Sequence, residues 1–189
     1  MSERPLSAIV LAAGQGTRLR SARPKPLHLL CGRALVRYVL DALVDCDVDR
    51  AVVVVGYAAD LVIKKLQEDP GPVPLEFVEQ RVQAGTGDAA AVGLTALPED
   101  DLDLDDLDDG DVLVLPGDNP LIRPATLSTL LLEHRLSGAA CTLLTARLDD
   151  PTGYGRVVRD ADGAVLRVVE TKAAGDATDD ELMIREVNT

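Results

Sequence analysis

An α/β sandwich with a mainly parallel central sheet is the fold class this sequence predicts, on three observations. Short runs of nearly continuous apolar residues, at 6–11, 50–55, 75–78 and 112–115, read as strands buried on both faces. Stretches with apolar residues at helical spacing, at 34–44, 58–67 and 87–97, alternate with them. A fourth helix at 124–136 opens on Pro124, a residue favoured in a first turn. Alternation of this kind builds parallel sheets with helices on their faces. The length, 189 residues, suits one domain or one domain with an appended piece, and 47% hydrophobic residues suffice to fill a core.

In chain order, the first strand delivers a loop of small residues at 12–17, followed by the cations Arg18, Arg20, Arg23 and Lys25. Small residues let backbone N–H groups approach a ligand closely, and cations just downstream neutralise it if it is anionic. Ligands of open α/β sheets sit beyond the carboxyl ends of the strands. The glycine loop and the Gly117-Asp118 pair after the 112–115 run both fall there, which brings cations and a carboxylate together. Between them, residues 99–111 hold nine acidic residues in thirteen. That run lacks the glycine a calcium loop places at its sixth position, so it reads as a solvated connection. After Leu148 the texture changes. Residues 150–155 form a loop, and 156–159 and 164–170 read as strands around a turn at 160–163.

Charge is unevenly spread. From Arg4 to Leu40 there is no Asp or Glu, and six Arg and one Lys give that segment +7 in a chain of net charge -13. A local positive field on an acidic protein suits a small polyanion and argues against nucleic acid as a partner. Three cysteines, odd in number and in no ligand pattern, fit a reducing compartment, and two histidines make a His-based zinc site a poor reading. No run approaches the roughly 20 apolar residues of a membrane span, and the residues before Leu6 carry no signal-peptide pattern. The expectation is a cytoplasmic protein with no membrane partner.

The glycine loop is neither of the two common nucleotide fingerprints. Gly14-Gln15-Gly16-Thr17-Arg18-Leu19 lacks the third glycine of the dinucleotide motif, and no Gly-Lys-Ser/Thr follows. Set beside Arg18 and the Pro24-Lys25 step, however, the segment from Leu11 to His28 resembles the sugar-nucleotide pyrophosphorylases. Later segments narrow the resemblance: Glu79-Gln80-Arg81-Val82-Gln83-Ala84-Gly85-Thr86-Gly87, Gly117-Asp118-Asn119-Pro120-Leu121, Asp150-Pro151-Thr152-Gly153-Tyr154-Gly155-Arg156, Val169-Glu170-Thr171-Lys172 and Glu186-Val187-Asn188-Thr189. In that order they are similar to the uridylyltransferase domain of the bacterial bifunctional N-acetylglucosamine-1-phosphate uridylyltransferase/glucosamine-1-phosphate acetyltransferases. The resemblance runs from Leu6 to Thr189, and the Gly-Thr-Gly and Pro-Thr-Gly-Tyr-Gly-Arg segments are its specific parts.

The resemblance implies a Rossmann-like nucleotidyltransferase sandwich that moves UMP from UTP to N-acetylglucosamine 1-phosphate and releases pyrophosphate. It implies that Arg18 and Lys25 are catalytic, holding phosphates and offsetting developing charge. Leu11, Ala12, Ala13 and Gly14 would line the nucleotide; Gln80, Gly85 and Thr86 would read the uracil; Pro116 and Gly117 would complete that surface. Gly155, Glu170 and Asn188 would hold the sugar, and Asp118 would bind Mg²⁺. Composition favours two of these readings independently. Only four Lys stand against fifteen Arg, yet Lys25 and Lys172 fall in motif segments, as do both Asn residues, Asn119 and Asn188. His28 reads as structural and Tyr154 as a loop aromatic.

The pattern departs from the family at Pro116, where an aromatic residue is usual, at Asn119, and at Ala173, where Asp is usual. It also ends at Thr189, before a second metal-binding asparagine and the β-helix acetyltransferase domain through which full-length homologues form trimers. The expectation is therefore a C-terminally incomplete domain. Another sugar 1-phosphate, a polyol phosphate or a molybdenum cofactor as acceptor, or a non-catalytic sugar-nucleotide binder, are the competing readings.

Overall fold

The structure, a computed structural model, describes residues 4–16, 19–97, 110–171, 173 and 175–188. The chain divides into two compact units, Met1–Ser128 and Thr129–Thr189. The division falls inside the fourth helix, earlier than the change of texture after Leu148. One cause is local: His134 Nδ1 lies 2.9 Å from Thr142 Oγ1, tying the end of that helix to the segment that follows it.

The first unit runs β1 (Leu6–Leu11), β2 (Leu29–Leu30), β3 (Arg33–Ala34), α1 (Leu35–Val44), β4 (Arg50–Val55), α2 (Ala59–Glu68), β5 (Leu75–Glu79), α3 (Thr86–Leu94), β6 (Asp111–Pro116) and the start of α4 (Pro124–Ser137). Four strands form a parallel sheet in the order β5-β4-β1-β6. Ile9 stands between Val52 of β4 and Val114 of β6. The inner strands are the core: Ala8, Ile9, Val10, Val52, Val53 and Val54 are all fully buried. β-Branched side chains fit this pleated, two-sided burial, which is why the apolar runs were legible as strands.

Burial on both faces holds for β1 and β4 and is corrected for the two edge strands, β5 and β6: Leu75, Phe77 and Val78 of β5 are only half-buried, and Glu76 and Glu79 are exposed. Leu113 and Leu115 are buried, but Val112 and Val114 are 37% and 43% exposed. An edge strand has a neighbour on one side only, and one face of β6 is left open among the described residues. The acidic run ends in the same place. Its last member, Asp111, is the buried first residue of β6, paired with Leu6, and not part of a connection. The rest of that run, apart from Gly110, lies outside the described residues.

α1 buries Val36, Val39, Leu40 and Leu43, the i, i+3, i+4, i+7 stripe of a surface helix. α3 lies on the sheet through Gly93. A Cβ there would stand 2.5 Å from Ile9 Cγ2 and 3.1 Å from Val54 Cγ2. Gly93→Val is therefore expected to cost about 1–3 kcal/mol through overpacking. Urea unfolding measures it, and an unchanged midpoint would show that α3 is not seated on β1 and β4.

The second unit contains β7 (Thr145–Arg147), β8 (Arg156–Arg159), β9 (Val165–Val169), α5 (Asp179–Leu182) and β10 (Glu186–Asn188), with an antiparallel sheet in the order β7-β10-β8-β9. β8 and β9 are the two strands expected from sequence. α5 opens with a capping box in which Thr178 and Glu181 satisfy each other's backbone N–H. Arg159 and Thr145 both donate to the Glu186 carboxylate, holding its pKa down at about 2. No helix among the described residues is long and apolar enough to cross a membrane.

Candidate active site

At the carboxyl ends of β1, β5 and β6 the first unit opens a cleft of about 330 Å³. Its lining comes from four separate segments. Leu11, Ala12, Ala13 and Gly14 carry β1 into its loop, Lys25 and Pro26 follow, Gln80, Gly85 and Thr86 lead from β5 into α3, and Pro116 and Asp118 end β6. Ten residues assigned from the resemblance thus meet in one place. Gly117 does not line the cleft; it closes the scaffold beneath. Its N–H donates to Leu11 O at 2.8 Å, and a Cβ at this position would lie 2.9 Å from that same oxygen. On the other side of β1, Ala12 N donates to Val54 O at 2.8 Å. The end of β1 is therefore held from both sides.

The glycines of the loop have different reasons. Gly14 has no positive φ and nothing within 4 Å of a built Cβ, so neither conformation nor protein packing requires glycine there. Among the described residues, then, the space beside Gly14 is open to the cleft it lines. Gly16 is required twice over. Its φ is +72°, and a Cβ would stand 2.7 Å from Lys25 Cβ and 3.1 Å from Cγ. The loop thus rests on the lysine stem and aims it. Pro24 and Pro26 bracket the same residue, which opens a 3-10 turn at Lys25–Leu27. The Lys25 ammonium forms an ion pair with the Asp118 carboxylate, at side-chain exposures of 40% and 26%.

Gln80 is buried, with its N–H donating to Val55 O at 2.8 Å. Its Nε2 donates to Gly85 O at 3.2 Å and to Asp88 Oδ2 at 2.7 Å. Gln83 Nε2 donates to Ala13 O at 3.0 Å, linking the segment after β5 to the glycine loop. Pro26, Gln83 and Ala89 line the cleft and were not singled out from sequence. Gln83 stood in a segment already marked as a motif and was the accessible one; Ala89 carries no signal. His28, read as structural, donates from Nε2 to Arg23 O at 3.1 Å.

Arg18 lies outside the described residues, as do Lys172 and Thr189. The positive field of the N-terminal segment is narrower than its +7 suggests. Arg33 and Arg37 pair with Asp41, and Arg37 also with Asp69, so acidic residues beyond the run neutralise them.

In the second unit, Gly155, Glu170 and Asn188 come together. Arg156 of β8 pairs with Val169 of β9 and with Val187 of β10. One step along the register, Gly155 stands between Glu170 and Asn188. A Cβ on Gly155 would lie 2.6 Å from Asn188 Oδ1, so glycine is what lets that amide sit against the strand end. The buried Arg156 guanidinium donates to the carbonyls of Pro151 and Tyr154, fixing the loop that precedes Gly155.

Asp118 offers a hard, ionised oxygen already facing a cation, which suits Mg²⁺. Among the described residues no three His, Cys, Asp or Glu gather as a metal cage. The donor set fits an ion that takes one carboxylate from the protein and its other ligands from water and phosphates.

A family model for the MobA-like NTP transferase domain matches residues 8–175. The chain belongs to that family. Among curated relatives, this MobA-like NTP transferase is 43% identical over 188 residues to the bifunctional protein GlmU of Thermobifida fusca, covering 100% of this chain and 37% of that protein. It is 46% identical over 187 residues to the bifunctional protein GlmU of Streptomyces coelicolor, covering 98% of this chain and 36% of that protein. The chain thus spans little more than a third of the length of these relatives. Among solved structures it resembles HddC from Yersinia pseudotuberculosis, at TM-score 0.61 and 23% identity over 87% of this chain and 69% of that one. It also resembles 4-diphosphocytidyl-2C-methyl-D-erythritol synthase from Anaerococcus prevotii, at TM-score 0.58 and 19% identity over 87% of this chain and 63% of that one. These two likenesses bear on the fold, and they agree with the parallel sheet described above.

Proposed function

We propose that the chain transfers UMP from UTP to N-acetylglucosamine 1-phosphate and releases pyrophosphate. The observation that carries this reading is the Lys25–Asp118 pair inside a cleft lined by the glycine loop and the Gln80–Thr86 segment. Membership of an NTP transferase family and the likeness to the GlmU proteins support it. An oxygen of the sugar phosphate attacks the α-phosphorus in line; the new P–O bond forms as the bond to the β-phosphate breaks, and pyrophosphate leaves with the electron pair. Such a reaction is accelerated mainly by positioning and charge neutralisation.

Each residue has a part in that. The backbone from Leu11 to Gly14 lies along the nucleotide, with Gly14 leaving room for close approach. Lys25 exchanges its carboxylate partner for a phosphate oxygen, and Arg18 is assigned the same task from the resemblance. Mg²⁺ held at Asp118 would draw charge from the phosphate oxygens. Gln80, Gly85 and Thr86 take the uracil edge. Gly155, Glu170 and Asn188 hold the sugar, with Asn188 at the N-acetyl group. The cytoplasmic setting belongs to the same proposal, and a trimer is expected of full-length homologues.

The test is pyrophosphate release from each of the four nucleoside triphosphates, with Mg²⁺ and N-acetylglucosamine 1-phosphate. Turnover with UTP alone is the expected result. Turnover with a different nucleotide would move the chain to another specificity within its family. Nucleotide binding without any turnover would leave a sugar-nucleotide binder.

A further inference from the structure

Asp88, in the first turn of α3, has no part in the chemistry above, yet its carboxylate holds the Gln80 amide. The Gln80 side-chain amide has two hydrogens, and both are engaged: one on Asp88 Oδ2 at 2.7 Å, the other on Gly85 O at 3.2 Å. A carboxylate and a carbonyl accept hydrogen bonds and donate none. The amide therefore has one orientation, with nitrogen toward Asp88 and Gly85 and oxygen away from them. Gln80 lines the cleft while only 5% exposed, so little else of it is available to a ligand. Among the described residues Oε1 has no donor, and it is not one of the sealed, unpartnered side-chain atoms, which belong to Arg37 and Arg156. What Gln80 offers is a fixed acceptor.

We propose that Asp88 is a positioning residue for nucleotide choice, holding Gln80 Oε1 toward the cleft so that it accepts from the ring N3–H of uracil and rejects cytosine. The inference rests on the uridylyltransferase reading and extends it to the source of base specificity. Uracil carries a hydrogen at N3, whereas cytosine presents a lone pair there. The two rings are nearly equal in size, so a pocket wall cannot separate them, but a hydrogen-bond mismatch can. Sites built to hydrogen-bond a substrate N–H reject an analogue lacking it by as much as ~10⁴-fold. Without Asp88, only the longer bond to Gly85 O, at 3.2 Å, opposes a rotation of about 180° about the terminal amide torsion, which would turn the Gln80 NH₂ toward the ligand and suit cytosine instead. A carboxylate at a helix N-terminus also stabilises the helix whatever it bonds, and the experiment separates that role from this one.

Asp88→Asn is near-isosteric, and its amide can donate to Gln80 Oε1 as readily as accept from Nε2. The expected result is that the ratio of kcat/KM for UTP to that for CTP falls about tenfold or more, with CTP turnover rising and the melting temperature little changed. A purely structural role would lower both nucleotides together and leave the ratio where it was, which would overturn the proposal. The wild-type protein supplies a second reading that needs no variant. Gln80 side-chain NH₂ protons should exchange with solvent far more slowly than those of the exposed Gln15 and Gln67. Equal exchange would mean that the amide is not locked, and would also overturn the proposal. A wild-type protein that does not use UTP would refute the functional reading instead, while comparing that exchange between wild type and Asp88→Asn would still decide whether Asp88 locks Gln80.

Discussion

Asparagine in place of Asp118 is expected to lower turnover by roughly 10³-fold and to leave the fold intact. The carboxylate pairs with the Lys25 ammonium, and on the proposed mechanism it would also hold Mg²⁺ during the reaction. Asparagine keeps the shape and one oxygen but removes the charge on which a hard divalent cation depends. The fold should survive because the backbone at this point is held independently. Gly117 N donates to Leu11 O, and β6 is registered against β1 along its whole length. The lost ion pair is partly solvated and contributes no more than about 1 kcal/mol. Turnover as a function of Mg²⁺, together with a thermal melt, measures both halves. A variant with full Mg²⁺-dependent activity would show that the metal is not held at Asp118. A variant that loses its cooperative melt would show that the loop after β6 depends on the side chain.

What could be read from the sequence follows from what is local. β1 and β4 were legible because strands buried on both faces need no pattern beyond an apolar run of the right length. β6 looked the same in sequence, but whether a strand is central or at an edge depends on its neighbours, so the open face carrying Val112 and Val114 was not visible. β7 and β10 have three residues each, too few for any period to show. The capping box of α5 was present in the spelling Thr178-x-x-Glu181 and was there to be found. In the site, residues of one strand end and its loop announced themselves by small size and nearby cations. Contacts between segments did not. The close approach of Gly16 to the Lys25 stem joins two turns of the chain, and the Gln80–Asp88 bond joins a strand end to a helix start. Gly155, Glu170 and Asn188 were associated only through the resemblance, and it is the register of an antiparallel sheet that puts them in one row. The charge run erred in the other direction, because Asp41 and Asp69 neutralise two of its cations, Arg33 and Arg37, from outside it.

Lys25→Gln is the second substitution with a large expected effect, a fall in kcat of about 10²–10³-fold with a much smaller change in KM for UTP. Glutamine retains a polar end on a flexible stem, one atom shorter, and removes the charge, so most ground-state contacts should persist while neutralisation of the transferring phosphates is lost. Lys25→Arg should recover only part of the activity. Gly16 presses on the first carbons of the stem, and a planar guanidinium reaches further than an ammonium on the same track. The decisive version combines Lys25→Gln with Asp118→Asn. Lys25 and Asp118 are in direct contact, and on the proposed mechanism both would act on phosphate charge, so their losses should not add. The double variant is expected to be about as slow as the slower single variant. A double variant slower by the product of the two single effects would mean that lysine and carboxylate act independently. In that case the ion pair would be incidental to the reaction, and the exchange of partners assigned to Lys25 would be wrong.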